Sequence, residues 1–183
     1  MSDLEKAVDY ITRFLNDPTK RTLLIKGYDN DAKLKASLVA LNEIFKNGII
    51  KTSSMGSFSR HFWDAFNKDV LPRQVKSTSI YKVGKMNLSI SSYVTHTKNN
   101  YYGNENTFSL FYPVQTVLDN ENKYIKLREE IANTESKKIL ILTTNEWSIK
   151  NWDIENRVDD IFFFDVESDN PNLMSNLRNN GAI

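Results

Sequence analysis

The sequence predicts a three-layer α/β domain in which a mostly parallel, five-stranded sheet carries helices on both faces, with a small β-hairpin inserted in the middle. Three observations carry that expectation. Short apolar runs recur in RTLLIKG, GIIKTSS, TFSLFYP, KKILILTTN and DDIFFFDV, each flanked by polar or turn-forming residues. Helical periodicities separate most of them, and parallel strands need such crossovers. The runs are continuously apolar instead of alternating, as strands covered on both faces are.

The elements follow in order. Residues 3 to 16 place Leu4, Ala7, Val8, Ile11, Phe14 and Leu15 at helical spacing, and Ser2 with Glu5 has the form of a capping box. After the turn NDPTK, the first strand leads through a tight loop into a helix over Asp31 to Lys46, with Leu34, Leu38, Leu41, Ile44 and Phe45 on one side. Gly48 is placed as the stop of that helix, and GIIKTSS then completes a βαβ unit. The stretch SFSRHFWDAFNKDVL reads as a helix, SIYKVGKMNLSISSYVTHT as two short strands turning near Gly84, and KNNYYGNEN as a loop. A strand in TFSLFYP, a helix in YIKLREEIA, strands in KKILILTTN and DDIFFFDV, and a short helix around Leu173 to Leu177 complete the chain as one domain over 1–183.

Composition narrows the chemistry. With 40% hydrophobic residues the chain can build a core, which argues against disorder. No apolar run approaches the roughly 20 residues that span a bilayer, and MSDLEKAVDY lacks the marks of a signal peptide, so no membrane partner and a cytoplasmic location are expected. The absence of cysteine removes disulfides and thiolate ligands, and only His61 and His96 are histidines, so no metal site is expected. The net charge of +1 conceals a basic stretch over 58 to 103 and an acidic one from Asn151 onward, which fits an anionic partner at one end or opposite surfaces meeting between copies.

Gly27-Tyr-Asp-Asn-Asp-Ala32-Lys33-Leu34, directly after the first strand, resembles the Walker A pattern of P-loop nucleotide-binding proteins: a glycine, four residues, a glycine, lysine, then serine or threonine. Ala32 replaces the second glycine, Leu34 replaces the hydroxyl, and Asp29 and Asp31 put carboxylates where phosphate would sit. The segment ILTTNEWSIKNWDIENRVDDIFFFDVES resembles the part of AAA+ ATPases from the sensor-1 strand to the arginine-bearing segment and the next strand. That resemblance implies that Asn145 would position water near the γ-phosphate and that Arg157 would reach a neighbouring subunit's nucleotide. As isolated residues, the first reads as a turn residue and the second as an ion pair with an acid such as Asp153. The Walker B position ends in Tyr112-Pro113, with Asp119 and Glu121 further on, and the family's lid is not expected after Ile183.

No catalytic residue is therefore expected, and no cofactor, ATP being the one candidate through Gly27, Lys33, Asn145 and Arg157. A second candidate surface combines Arg60, Arg73, Lys76, Lys82, Lys85 and Lys98 with Trp63, Tyr81, Tyr93, Tyr101 and Tyr102, a mixture suited to single-stranded nucleic acid. The expected function is a non-hydrolysing, P-loop-like binding or regulatory module that engages a protein partner, another copy of itself or nucleic acid. The alternatives are an atypical ATPase acting in an oligomer and a nucleic-acid-binding accessory factor.

Overall fold

The computed structural model describes residues 1–114, 120–144 and 153–183. It is an α/β fold with helices packed against a mostly parallel sheet. Helix α1 (Asp3–Asn16) opens with the expected capping box, Ser2 Oγ accepting from Glu5 N and Glu5 Oε2 from Ser2 N. Strand β1 (Thr22–Lys26) passes through a tight loop into α2 (Asn30–Ile44), and β2 (Asn47–Thr52) follows. Then come α3 (Phe58–Phe66), β3 (Ile80–Val83), β4 (Met86–Ser92), β5 (Thr107–Phe111), α4 (Glu121–Asn133), β6 (Lys138–Leu142), a 3-10 turn (Ile154–Arg157), β7 (Asp160–Phe163) and α5 (Pro171–Asn179).

Among the described residues the sheet has seven strands in the order β3-β4-β2-β5-β6-β1-β7, where five were expected. All five expected strands form and pair in parallel. The difference lies in the hairpin, which is not a separate insertion: β4 pairs in parallel with β2, and β3 turns back antiparallel to form the sheet's edge. Leu88 and Ile90 explain this, since both lie in the main core with Ile50 of β2. A free hairpin would leave them in water. Gly48 is likewise not a helix stop, because α2 ends at Ile44 and Phe45 caps it. Instead Gly48 lies within β2, where a Cβ would come within 2.1 Å of the Phe108 ring.

Two apolar clusters cover the two faces. The larger joins α1, α2, α3 and α5 to Leu23, Ile25, Ile50, Phe108 and Leu140 on one face. The smaller, on the other, sets Leu127 of α4 against Leu24, Phe111, Ile139 and Ile141. That second face is apolar beneath α4 and at Ile49 of β2. Toward β2 and β4 it carries Lys51, Ser89, Ser91 and Ser109, all buried. Lys138 points to the first face, where its ammonium donates to the carbonyl of Phe14 at 3.0 Å and to those of Asp17 and Lys20, ending α1 as a basic side chain at a helix C-terminus does. No helix among the described residues is long and apolar enough to cross a membrane.

Candidate functional site

The loop after β1 is the first place to look for a site, because ligands of open α/β sheets bind at the carboxyl ends of the strands. Gly27 has φ +137°, and a Cβ there would sit 2.5 Å from the carbonyl oxygen of Phe164, so the loop passes against the chain that follows β7. Gly27→Ala is expected to cost about 2 kcal/mol of stability, read as a lower midpoint in urea unfolding. Asp29 caps α2: Oδ1 accepts from Ala32 N at 2.9 Å, and Oδ2 accepts from Asn170 Nδ2 at 2.9 Å. The start of α2, where a phosphate would be cradled, thus already holds a carboxylate of its own chain.

Lys33 completes the closure. Its side chain is fully buried, and Nζ donates to Gly27 O at 2.5 Å and to Thr143 O at 2.6 Å. The ammonium therefore ties the ends of β1 and β6 together. Around it the field is negative. Burial, followed by the charges of Asp29 and Asp64, raises the Asp31 carboxyl above its ordinary range, and Arg60 opposes that shift. Tyr112 is pushed up by burial and then by the same three carboxylates, and His61, edge-on to Tyr112 with ring centroids 5.1 Å apart, is pushed down by burial. Among the described residues, an anion entering here would meet the carboxylates of Asp29, Asp31 and Asp64, and the Arg60 guanidinium is bound to Asp64 at 2.7 Å.

Of the other residues singled out for nucleotide, Asn145 lies outside the described residues. Arg157 is half exposed and folded onto Asp153, with Nε and Nη2 both 2.9 Å from Oδ2. Hydrogen bonds from Tyr124 and Arg157 hold the Asp153 carboxyl low, while burial and the bond to Asp153 push Tyr124 up to about 12. Arg157 also rims a groove of about 460 Å³ between α4 and the 3-10 turn, floored by Ile131, Ile141, Ile154 and Val158. At the Walker B position β5 runs into Tyr112-Pro113, and Val114 N donates to Leu142 O. Asp119 lies outside the described residues, and Glu121 is exposed in the first turn of α4. No grouping of three or more His, Asp or Glu among the described residues could hold a metal ion.

The basic residues singled out are spread over several elements. Arg60 and Arg73 line a depression of about 370 Å³ with Trp63 and Asp69. Lys82 stands on the edge strand β3, Lys85 in the hairpin turn is paired with Glu43 at 3.1 Å, Lys76 precedes β3, and Lys98 lies in the connection between β4 and β5. Trp63 and Tyr101 are exposed, whereas Tyr93 is buried and donates to Pro113 O.

A polar cluster that the sequence did not signal lies on the second face. Lys51, fully buried on β2, pairs with Glu130 of α4 at 3.0 Å, is bonded to Asn100 Oδ1 and lies 5.1 Å from the centre of the Tyr102 ring. Lys51 follows Ile49 and Ile50 in a strand that also holds the polar Asn47 and Thr52, so nothing in that pattern marks it out. The cluster fastens α4 and the β4–β5 connection to the sheet. Compared with models of protein families, with curated protein sequences and with solved structures, the chain matches none.

Proposed function

We propose that the chain is a non-hydrolysing binding module on a P-loop-like, AAA+-like plan, and that its partner is a protein. The observation that carries this reading is the closed loop at Gly27, with Asp29 capping α2 and Lys33 turned inward. Three further features support it. The Walker B carboxylate has no counterpart on β5, Arg157 is held by Asp153, and large apolar side chains stand exposed on both edge strands and on α4. The strand order also supports the plan, because β6 and β7 flank β1 in parallel.

A nucleotide that binds the folded chain raises its unfolding temperature as its concentration grows. The expected result is no shift with ATP and magnesium up to millimolar concentration, and no ATP turnover. A rise in melting temperature that scales with ATP would overturn the reading in favour of an atypical ATPase. The depression holding Trp63, Arg60 and Arg73 favours a second reading, a nucleic-acid-binding accessory factor. Binding of single-stranded DNA or RNA that weakens steeply as salt rises would select it.

A further inference from the structure

The sheet ends in two strands that each pair on one side only among the described residues, β3 at one edge and β7 at the other. Open edges of this kind are templates for a further strand, and proteins usually blunt them. Here both edges carry exposed apolar residues: Ile80 on β3 is 61% exposed, and on β7 Ile161 and Phe163 are 41% and 46% exposed. We infer that the two edges dock on each other between copies of this chain, β7 of one protomer pairing antiparallel with β3 of the next.

The directions fit. β7 runs parallel to β1 and β3 runs antiparallel to β4, so copies related by a translation across the sheet bring β7 and β3 together antiparallel. The faces fit as well. Ile161 is in register with Leu24, and Ile80 with Ser89, which places both on the face covered by α4. The backbone is open at the same residues. Phe164 gives its N–H to Lys26 O, so by strand alternation the peptide groups of Ile161 and Phe163 face away from β1. The two-residue turn Gly84-Lys85 makes Val83 and Met86 the hydrogen-bonded pair that closes the hairpin, leaving the peptide groups of Ile80 and Lys82 facing outward. The N–H of Ile161 is held meanwhile by its neighbour's carboxylate, Asp160 Oδ1, at 3.0 Å, a contact that an incoming strand would replace.

One register then sets Ile161 opposite Ile80, with Phe163 diagonal to it, and Asp159, just before β7 with its N–H on Thr22 O, falls on the Lys82 side of that pair. Beyond the Ile80 end, Lys76 lies toward Asp165. These four charged residues are exposed and form no salt bridge among the described residues, unlike Asp160, which is paired with Lys20 at 2.8 Å, and Lys85, which is paired with Glu43. The Asp159 side chain accepts hydrogen bonds from the backbone N–H groups of Arg21 and Thr22. The contact is heterologous, so each copy keeps one edge free and the assembly grows. It does not depend on whether the Gly27 loop takes a nucleotide.

Sedimentation of the full chain over a micromolar to submillimolar series at low salt tests this. The wild type is expected to form a concentration-dependent series that weakens as salt rises. Ile80→Asp and Ile161→Asp are each expected to weaken association by at least about tenfold. An equimolar mixture of the two variants is expected to restore a complex that stops at two chains, because each variant retains the edge that the other has lost. Both side chains are exposed, so the fold should survive. Ile80→Thr and Ile161→Thr, which keep strand propensity, are the second pair should a charged variant lose its native circular dichroism. A wild type that remains a single chain throughout, a variant that associates like the wild type, or a mixture that gains nothing over its components overturns the inference.

Discussion

Lys33→Met is expected to lower stability by about 3 kcal/mol, and to do so by the same amount with and without ATP. The argument turns on where the ammonium points. A P-loop lysine reaches outward for phosphate, so its loss should abolish nucleotide binding and leave the empty protein nearly as stable as before. Here the ammonium is buried and donates to Gly27 O and Thr143 O, joining the loop after β1 to the end of β6. Methionine preserves most of the volume and the apolar stem, so the cavity contribution is small. What is lost is a charge-assisted donor to two buried carbonyls, at a point where α2 and two central strands meet. Urea unfolding of wild type and variant, each with and without millimolar ATP and magnesium, reads both quantities. A variant as stable as the wild type in the absence of nucleotide, coupled with loss of an ATP-dependent rise seen in the wild type, would return Lys33 to the nucleotide-binding role that the motif implies.

How much of this was legible in the sequence depends on the range of the interaction concerned. The capping box on α1 and the five parallel strands are local signals, apolar periodicity and short-range turn chemistry, and all are present. The pairing of β4 with β2 is not local. It depends on Leu88 and Ile90 finding the core beside Ile50, partners some 40 residues apart in sequence, and a short alternating hairpin looks the same whether it stands alone or extends a sheet. Gly48 misled for a related reason: a glycine just after a helical pattern usually marks its end, whereas this one is needed because the Phe108 ring packs on the strand.

In the candidate site, the two carboxylates of Asp29 and Asp31 beside the loop were visible in the sequence, and so was the pairing of Arg157 with Asp153 at four residues' separation, as an alternative. The inward turn of Lys33 was not visible, because the same glycine-to-lysine spacing serves an outward and an inward ammonium equally. The basic stretch was legible as composition, and its residues are carried by different elements: Arg60 stands on α3, Lys85 in the hairpin turn and Lys98 in the connection between β4 and β5.

Glu130→Gln should expose the other buried lysine. The Lys51 side chain is completely buried, while that of Glu130 is 17% exposed, so the ion pair is asymmetric: without the carboxylate, the ammonium has no bulk water to turn to. Removing one member of such a pair is expected to cost about 3 kcal/mol at neutral pH, most of it the penalty of a buried charge left unpaired. Burial already depresses the folded pKa of Lys51 below its ordinary 10.5, and Glu130 opposes that depression. Glutamine removes the opposing charge, so the folded value falls further in the variant.

Below that value the variant carries the full penalty, because folding must keep a proton that burial disfavours. As pH rises between the two folded values, the variant's lysine becomes neutral while the wild type's remains charged, and the stability gap between them narrows. Other groups that titrate in alkali, including the buried tyrosines Tyr93 and Tyr112, cancel in the difference. Denaturant midpoints measured for both proteins from neutral pH toward 10 give the gap directly. Adding Lys51→Met to the variant is expected to recover most of the loss, since an apolar chain of similar length needs no counter-ion. A gap that stays constant or widens with pH, or a double variant no better than Glu130→Gln alone, would mean that the cost comes from the hydrogen bond that Asn100 gives to Glu130 and not from the charge.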